Sequence, residues 1–350
     1  MKFDFTEDQR LLQQTVREFL AGECAVDRVR ALWDTETGRS PELWKQLAEV
    51  GLLGALVPEA AEGMGLGEVE FTLLGEELGR AGLAEPVLAT AGVAAPMLAE
   101  LGGSWASRWL APIARGEAVV AVGCEESAFV EDAHVAQLLL LPRNAALYAV
   151  DPSDARLEAQ PANDPARRVF AVDWPFDARP AAQGSKARAL LDAALDRGAL
   201  AGSAQLLGVC DKLIELSVAY TTERVQFGVP IGSFQAVKHA LAGAKVKLEY
   251  ARPLVYRAAD SVARGLGARP VHVSMARVAA VDAARHAARV ALQAHGAIGY
   301  TWEQDVHVWM RRAWSLEQGF GLPPFHRRRM ADFALAPDAP LGAGQTFETQ

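Results

Sequence analysis

The chain has 350 residues and no run of about 18 or more uncharged apolar residues, so no membrane span is expected. Cysteine is scarce. Cys24, Cys124 and Cys210 lie scattered without Cys-x-x-Cys spacing, which excludes a disulfide frame and a zinc site and reads as free thiols of a cytoplasmic protein. Positive charge is not in excess. Lys and Arg number 35 against 43 Asp and Glu, and the net charge of −8 argues against a general nucleic-acid surface, Arg327-Arg328-Arg329 notwithstanding. The histidines offer no metal set: His286 and His295 are too far apart for one helix face, and His239 and His326 stand alone. No internal repeat or low-complexity tract is present. The acidic start, Met-Lys-Phe-Asp-Phe-Thr-Glu-Asp, lacks the apolar core of a signal peptide.

What is present is an ordinary globular balance, 51% hydrophobic and 22% charged, in a chain long enough for two or three structural units. Thr6 and Gln9 form a capping-box pattern, and Leu11, Leu12, Val16 and Leu20 follow at helical spacing. Further helical patterns cover about 41–51, 69–81 and 93–113, with a Gly-punctuated loop at 58–67. From residue 118 the texture changes to short apolar runs bounded by turn residues. Those at 118–124, 136–142, 146–151 and 168–174 predict strands of a small β-domain. From 186 to 335 the chain is helical again and rich in alanine. Leu206, Val209, Leu213, Leu216 and Tyr220 mark one face of its first helix and Leu207, Ile214 and Val218 another, so that helix is expected to be buried on two sides. In the second, Phe234, Val237, Leu241, Ala244, Leu248, Ala251, Val255, Ala258 and Val262 form a bundle seam, with Pro253 as a possible kink. Residues 270–295 and 303–318 predict two more helices, completing a four-helix bundle.

The stretch at 220–241, Tyr-Thr-Thr-Glu-Arg-Val-Gln-Phe-Gly-Val-Pro-Ile-Gly-Ser-Phe-Gln-Ala-Val-Lys-His-Ala-Leu, reads as the corner of a helical hairpin. The first helix is expected to stop near Gly228, with Pro230 preventing its continuation and Ser233 capping the next helix. Arg224, Gln226 and Phe227 gather a guanidinium, an amide and an aromatic face near free helix ends, a set suited to a phosphate- and base-bearing ligand.

This stretch resembles the signature of the acyl-CoA dehydrogenase family, where Arg-x-Gln-Phe-Gly-x-Pro-Ile precedes Phe-Gln-x-x-Lys-His. Gln293-Ala-His-Gly-Ala-Ile-Gly-Tyr-Thr-Trp-Glu is similar to the family's second motif, in the right order. Leu47-Ala-Glu-Val-Gly-Leu-Leu-Gly and the 58–67 loop resemble its N-terminal domain, with Glu62 where a glycine is common. The resemblance implies an α+β, mainly α, fold: an N-terminal helical domain (1–117), a reduced middle β-domain (118–185), a C-terminal four-helix bundle (186–335) and a tail (336–350). It implies flavin adenine dinucleotide (FAD) bound across a subunit interface, an acyl-CoA substrate and electron-transfer flavoprotein as acceptor. Arg224, Phe227, Ile231, Phe234, Gln293 and Gly296 then match the half of the cofactor site that one subunit donates to its neighbour.

Two departures follow from the same resemblance. The Thr-Glu-x-x-x-Gly-Ser-Asp stretch that meets the flavin ring reads Gly123-Cys-Glu-Glu-Ser-Ala-Phe here. The catalytic glutamate is absent from both places the family uses, which hold Phe320 and Gly198. The nearest carboxylates are Glu317 and Asp196, each expected to be a solvated helix charge. The pattern resembles the shorter subunit of a heteromeric enzyme acting on bulky acyl-CoA. A homomeric enzyme using Asp196 or Glu317, and a non-catalytic member binding acyl-CoA or a protein partner, remain open.

Overall fold

A computed structural model describes residues 4–175, 177–339 and 342. Helix α1 (Glu7–Glu23) starts with the expected reciprocal capping box between Thr6 and Gln9. Two short helices follow, α2 (Val26–Ala31) and α3 (Pro41–Glu49), the latter capped by Ser40, whose oxygen accepts the Leu43 N–H. The 58–67 loop then leads into α4 (Glu68–Ala81). Glu62, standing where a glycine is common, adopts the left-handed φ of 65° that explains that preference, and pairs with Arg115 at 3.0 Å.

The helix expected over 93–113 is broken. A π-helical segment (Leu88–Ala94) runs into α5 (Ala95–Leu101), and Gly102 and Gly103, both at positive φ, separate it from α6 (Gly103–Ser107) and α7 (Leu110–Ala114).

The β-region forms two sheets. In the first, β1 (Val120–Val122) pairs parallel with β3 (Leu138–Arg143), which forms a hairpin with β4 (Ala146–Val150). The two-residue loop Asn144-Ala145 takes positive φ at both positions, as a hairpin twist demands. The fourth strand of that sheet, β7 (Pro180–Ala182), pairs antiparallel with β4. The second sheet joins β2 (Val130–Glu131), β6 (Val169–Asp173) and β5 (Arg156–Gln160). Strands β2, β5 and β7 escape the sequence pattern because they are short or largely exposed, without an apolar run.

Helix α8 (Gly184–Glu223) is 40 residues long. With α9 (Gln235–Ala263), α10 (Arg269–His295) and α11 (Val306–Leu316) it forms the bundle. A further helix, α12 (Pro323–Ala334), was not expected; its low apolar content hides it, but it packs on α10. Pro253 lies inside a continuous α9. Helix α4 crosses α8 so closely that a Cβ on Gly79 would overlap the Gln205 carbonyl, and one on Gly208 the Glu76 carbonyl. Glycine is therefore a steric requirement at this crossing.

The expected burial holds for Leu206, Leu207, Val209 and Leu213 and for the α9 seam from Ala244 to Val262. It fails near the corner, where Val218 and Phe234 are exposed and Val237 and Leu241 only half-buried. Along the middle of α9, Val246 and Tyr250 are uncovered as well. No described helix is long and apolar enough to cross a membrane. Of the proposed tail, residues 340–341 and 343–350 lie outside the described residues.

Candidate cofactor corner and cleft

The corner differs from its expected geometry. Helix α8 ends at Glu223, with Arg224 extended, three residues earlier than a left-handed cap at Gly228 would require. The chain then makes a small hairpin, β8 (Val225–Gln226) against β9 (Val229–Pro230), closed by the Ile231 N–H donating to the Arg224 carbonyl at 2.8 Å. Phe227 and Gly228 form its tip at φ 52° and 79°. Two successive positive φ values define a tight hairpin turn that favours Asn and Gly, so Phe227 holds a costly backbone position. Ser233 does not cap α9. Its hydroxyl donates to the Pro230 carbonyl, and extended Phe234 precedes the helix without a side-chain cap.

Phe227 is 93% exposed and meets Phe234 edge to face at 6.2 Å between centroids. Ile231 is half-buried beside them. The Arg224 side chain is exposed and makes no hydrogen bond or ion pair among the described residues. Gln293 is exposed in the last turn of α10, and its carbonyl accepts the N–H of Gly296. Gly296 has φ 65° and open space where a Cβ would stand. The two stretches are tied together by Tyr220 at the end of α8, which stacks on His295 at 4.5 Å and 22°. His295 Nδ1 lies 2.8 Å from the Ala291 carbonyl, and burial lowers its pKa, which keeps the ring neutral in the stack. An unpaired guanidinium, an uncovered aromatic ring and an open glycine turn fit one end of a diphosphate-bearing nucleotide.

A second feature lies between the α4–α5 region, the sheets and the bundle: a cleft of about 860 Å³, counting the space where it opens to solvent. Gly198, Gly202 and Gln205 present one face of α8 to it, and the turn after α11 supplies Leu316, Gly319 and Phe320. Phe320 adopts φ 51°, and its ring fills the space a Cβ on Gly198 would need. The turn is held from two sides. Arg277 Nη2 donates to the carbonyls of Leu316 and Gly319 at 2.5 and 2.7 Å, and His326 Nε2 lies 3.0 Å from the Phe320 carbonyl. Burial lowers the His326 pKa to about 4 and that of Arg277 to about 10, so the histidine is neutral and the arginine charged near pH 7.

The two nearest carboxylates lie elsewhere, and neither is a solvated helix charge. Asp196 is fully buried between Arg269 Nε and Arg329 Nη2, each 2.8 Å from one of its oxygens. Arg329 is thus part of an internal ion cluster, whereas Arg327 meets Asp282 at the surface. Glu317 pairs with Arg285 at 2.7 Å and opens onto a different depression beside Asn163 and Trp314.

The cleft's own carboxylates are Glu85, Glu131 and Asp132. Glu131 pairs with Arg167 and Asp132 with Arg39. Glu85 has no salt-bridge partner among the described residues and accepts the Ser40 N–H at 2.9 Å. Burial pushes its carboxyl up to about 7, against the opposing pull of that hydrogen bond and of Arg39. A carboxyl with a raised folded-state pKa binds its proton more tightly folded than unfolded. Stability from this group is therefore fully present below the unfolded pKa and is lost as pH rises toward 7. We expect Glu85→Gln to remove a loss of about 2–3 kcal/mol between about pH 5 and 8. Denaturant melts of both proteins across that range decide it, and parallel stability curves would refute it.

Sequence reasoning missed Arg277 and Glu85. Arg277 had a readable signal, because it falls at the buried helical spacing of Val273, Ala280 and Ala284, where an arginine is out of place. Glu85 sits in a short Gly-Leu-Ala-Glu-Pro link and had none. Among the described residues no group of three or more His, Cys, Asp or Glu is placed to hold a metal. The thiols of Cys24, Cys124 and Cys210 are free.

Helices flanking a small β-region, with an open corner at one end of the bundle, define an α+β, mainly α architecture. Comparison with known proteins makes that specific. Residues 6–117 match the model of the acyl-CoA dehydrogenase N-terminal domain, and residues 188–335 that of the acyl-CoA dehydrogenase C-terminal domain. The chain belongs to the acyl-CoA dehydrogenase family, FAD-dependent oxidoreductases acting on acyl-CoA.

It is 32% identical over 329 residues to acyl-CoA dehydrogenase IpdE2 of Mycolicibacterium smegmatis, covering 93% of this chain and 98% of the relative. The Mycobacterium tuberculosis protein of the same name is 30% identical, over 88% and 91%. Among solved structures, a variant of the Tcur3481-Tcur3483 steroid ACAD is 25% identical with TM-score 0.84, covering 93% and 97%. The ChsE4-ChsE5 complex from Mycobacterium tuberculosis, at 24% identity, TM-score 0.86 and coverage of 96% and 100%, shares the fold.

Proposed function

We propose that this chain is one subunit of a heteromeric acyl-CoA dehydrogenase, whose homologous partner supplies the catalytic base and the flavin-ring pocket. The observation that carries the reading is the Phe320 ring seated against Gly198. The two positions at which the family places its glutamate are thereby mutually filled, and neither bears a carboxylate. Two solved neighbours, the Tcur3481-Tcur3483 steroid ACAD and the ChsE4-ChsE5 complex, are paired assemblies, which supports a heteromer and a bulky acyl-CoA as the substrate class. Electron-transfer flavoprotein as acceptor and the cytoplasm as location belong to the same proposal. So do the division into 1–117, 118–185, 186–335 and the tail 336–350, and the assignment of Arg224, Phe227, Ile231, Phe234, Gln293 and Gly296 to FAD.

FAD, when bound, supplies the hydride acceptor of the dehydrogenation. This chain's part is to bind and orient it. Arg224 offers charge to the diphosphate, Phe227 and Phe234 cover apolar surface, and the open Gly296 turn admits close backbone approach. The exposed ends of α8 and α9 provide the surface a neighbour would cover.

Co-expression with a longer homologue, followed by sizing and flavin quantitation, tests the assembly. In it, Arg224→Ala should weaken flavin retention roughly 10- to 150-fold, the equivalent of about 1.5–3 kcal/mol for a charge-assisted contact. Unchanged flavin occupancy on dilution would make Arg224 a plain helix-end cation and remove the corner from the cofactor site.

One observation favours a second reading, a self-sufficient enzyme. Glu85 lines the cleft without a salt bridge among the described residues, and its pKa of about 7 suits a general base. Turnover by the chain alone that disappears in Glu85→Gln would establish it.

A further inference from the structure

Phe320 lines two hollows at once. One is the cleft. The other is a depression of about 450 Å³, counting the space where it opens to solvent, between the start of α8, the turn after β1 and the start of α12. Among the described residues only Cys124 and Phe320 line both. Leu191 and Ala194 are buried at the base of the depression, whereas Glu125, Glu126 and Arg188 are exposed at its edge. Arg188 pairs there with Asp192 at 3.0 Å and Glu125 at 3.5 Å.

The ring between the hollows is firmly placed. His326 and Arg277 hold the carbonyls of its turn, and the ring rests on bare backbone, 2.3 Å from where a Cβ on Gly198 would stand. It packs against the bundle core and also against the core shared by α5, the first sheet and the start of α8. Its φ of 51° is costly for an aromatic residue, and strain of this kind concentrates at functional sites. On the cleft side the charges are mostly matched, with Arg39, Arg167 and Arg312 each paired to a carboxylate. Beside those pairs the cleft wall includes Leu83, Leu88, Val122 and Phe129.

We propose that cleft and depression are two ends of one channel for an extended acyl thioester, and that the Phe320 ring is the partition closing it in this chain. The acyl body belongs in the cleft, and the thioester arm runs out past Phe320 and Cys124. Three carboxylates face one arginine at the depression, so the arm it suits is neutral, with any phosphate left outside. Phe320 is thus a specificity-determining residue, because the ring stands on the route that a longer acyl thioester takes. The inference rests on the acyl-thioester reading above but not on the pairing of subunits.

Calorimetric titration of the full-length chain tests it with neutral probes, the S-butyryl, S-hexanoyl and S-octanoyl thioesters of N-acetylcysteamine. The unaltered chain is expected to bind them weakly and without dependence on acyl length. In Phe320→Gly the octanoyl thioester should bind at least about tenfold tighter than in the unaltered chain. Affinity should also rise roughly fourfold per added methylene, as burial of each one predicts. Glycine accepts the positive φ freely, which favours folding of the variant, and melting is recorded alongside. If it does not fold, Phe320→Asn, shorter and also tolerant of positive φ, takes its place. Equal affinities in the two proteins, length-dependent binding already present in the unaltered chain, or a gain independent of length each overturns the partition. The co-expressed assembly tests the preceding reading separately, so an active assembly with no gain in Phe320→Gly strikes this inference alone.

Discussion

Purified without a homologous partner, the chain is expected to dehydrogenate acyl-CoA at least 10²–10⁴-fold more slowly than the co-expressed assembly, the contribution typical of a positioned base. The α-proton of a thioester is weakly acidic, and its removal needs a carboxylate within hydrogen-bond reach. Phe320 has only a phenyl ring to offer, and Gly198 has no side chain and no room for one. Asp196 is walled off by two guanidiniums, and Glu317 faces away from the cleft toward Arg285. Glu131 and Asp132 are already committed to arginines, which leaves Glu85 as the one cleft carboxylate without a salt bridge among the described residues. The measurement is turnover with several acyl-CoA lengths and an artificial electron acceptor, on the chain alone and on the assembly. Each is repeated with Glu85→Gln and Glu317→Gln. A flavin-loaded chain that turns over alone and loses that activity in one variant would install that carboxylate as the base and end the paired-subunit reading.

Much of the architecture was legible from periodicity. The Thr6 capping box, the apolar spacing behind α8 and α9, and the apolar runs of β3, β4 and β6 are local signals that packing reinforces. What was not legible depends on long-range partners. Helix α12 is too polar to announce itself and is defined by α10, against which His326 is buried with Ser274 Oγ at 3.0 Å from Nδ1. The early end of α8 depends on the β8–β9 hairpin, whose closing bond joins residues 224 and 231.

The site followed the same division. The linear stretches around Arg224 and Gln293 stand out in sequence, but nothing linear reveals that Tyr220 stacks on His295 and joins them. Nor does sequence reveal that Gly198 and Phe320, 122 positions apart, occupy each other's space. An absent glutamate is visible as a letter. That its two possible places exclude each other is visible only in three dimensions.

Asp196 shows how a site candidate becomes a structural residue, and its removal should have the largest effect on stability. It lies on α8 with no exposed surface, and its two oxygens separately accept from Arg269 at the start of α10 and Arg329 on α12. One carboxylate thus pins three helices. Those arginines are 24% and 20% exposed, so water relieves part of their charge when the carboxylate is lost. For a buried pair broken from one side the loss is about 3–5 kcal/mol, and this partial exposure places Asp196→Ala toward the lower end, at about 3 kcal/mol. Asp196→Asn keeps an acceptor for one guanidinium and should cost less. Arg269→Gln in the Asp196→Ala background should recover part of the loss by removing one unpaired cation. Denaturant unfolding of the four proteins measures this directly. If Asp196→Ala melts like the unaltered chain yet alters turnover of the assembly, the carboxylate acts in chemistry, and the ion cluster described here is incidental to the fold.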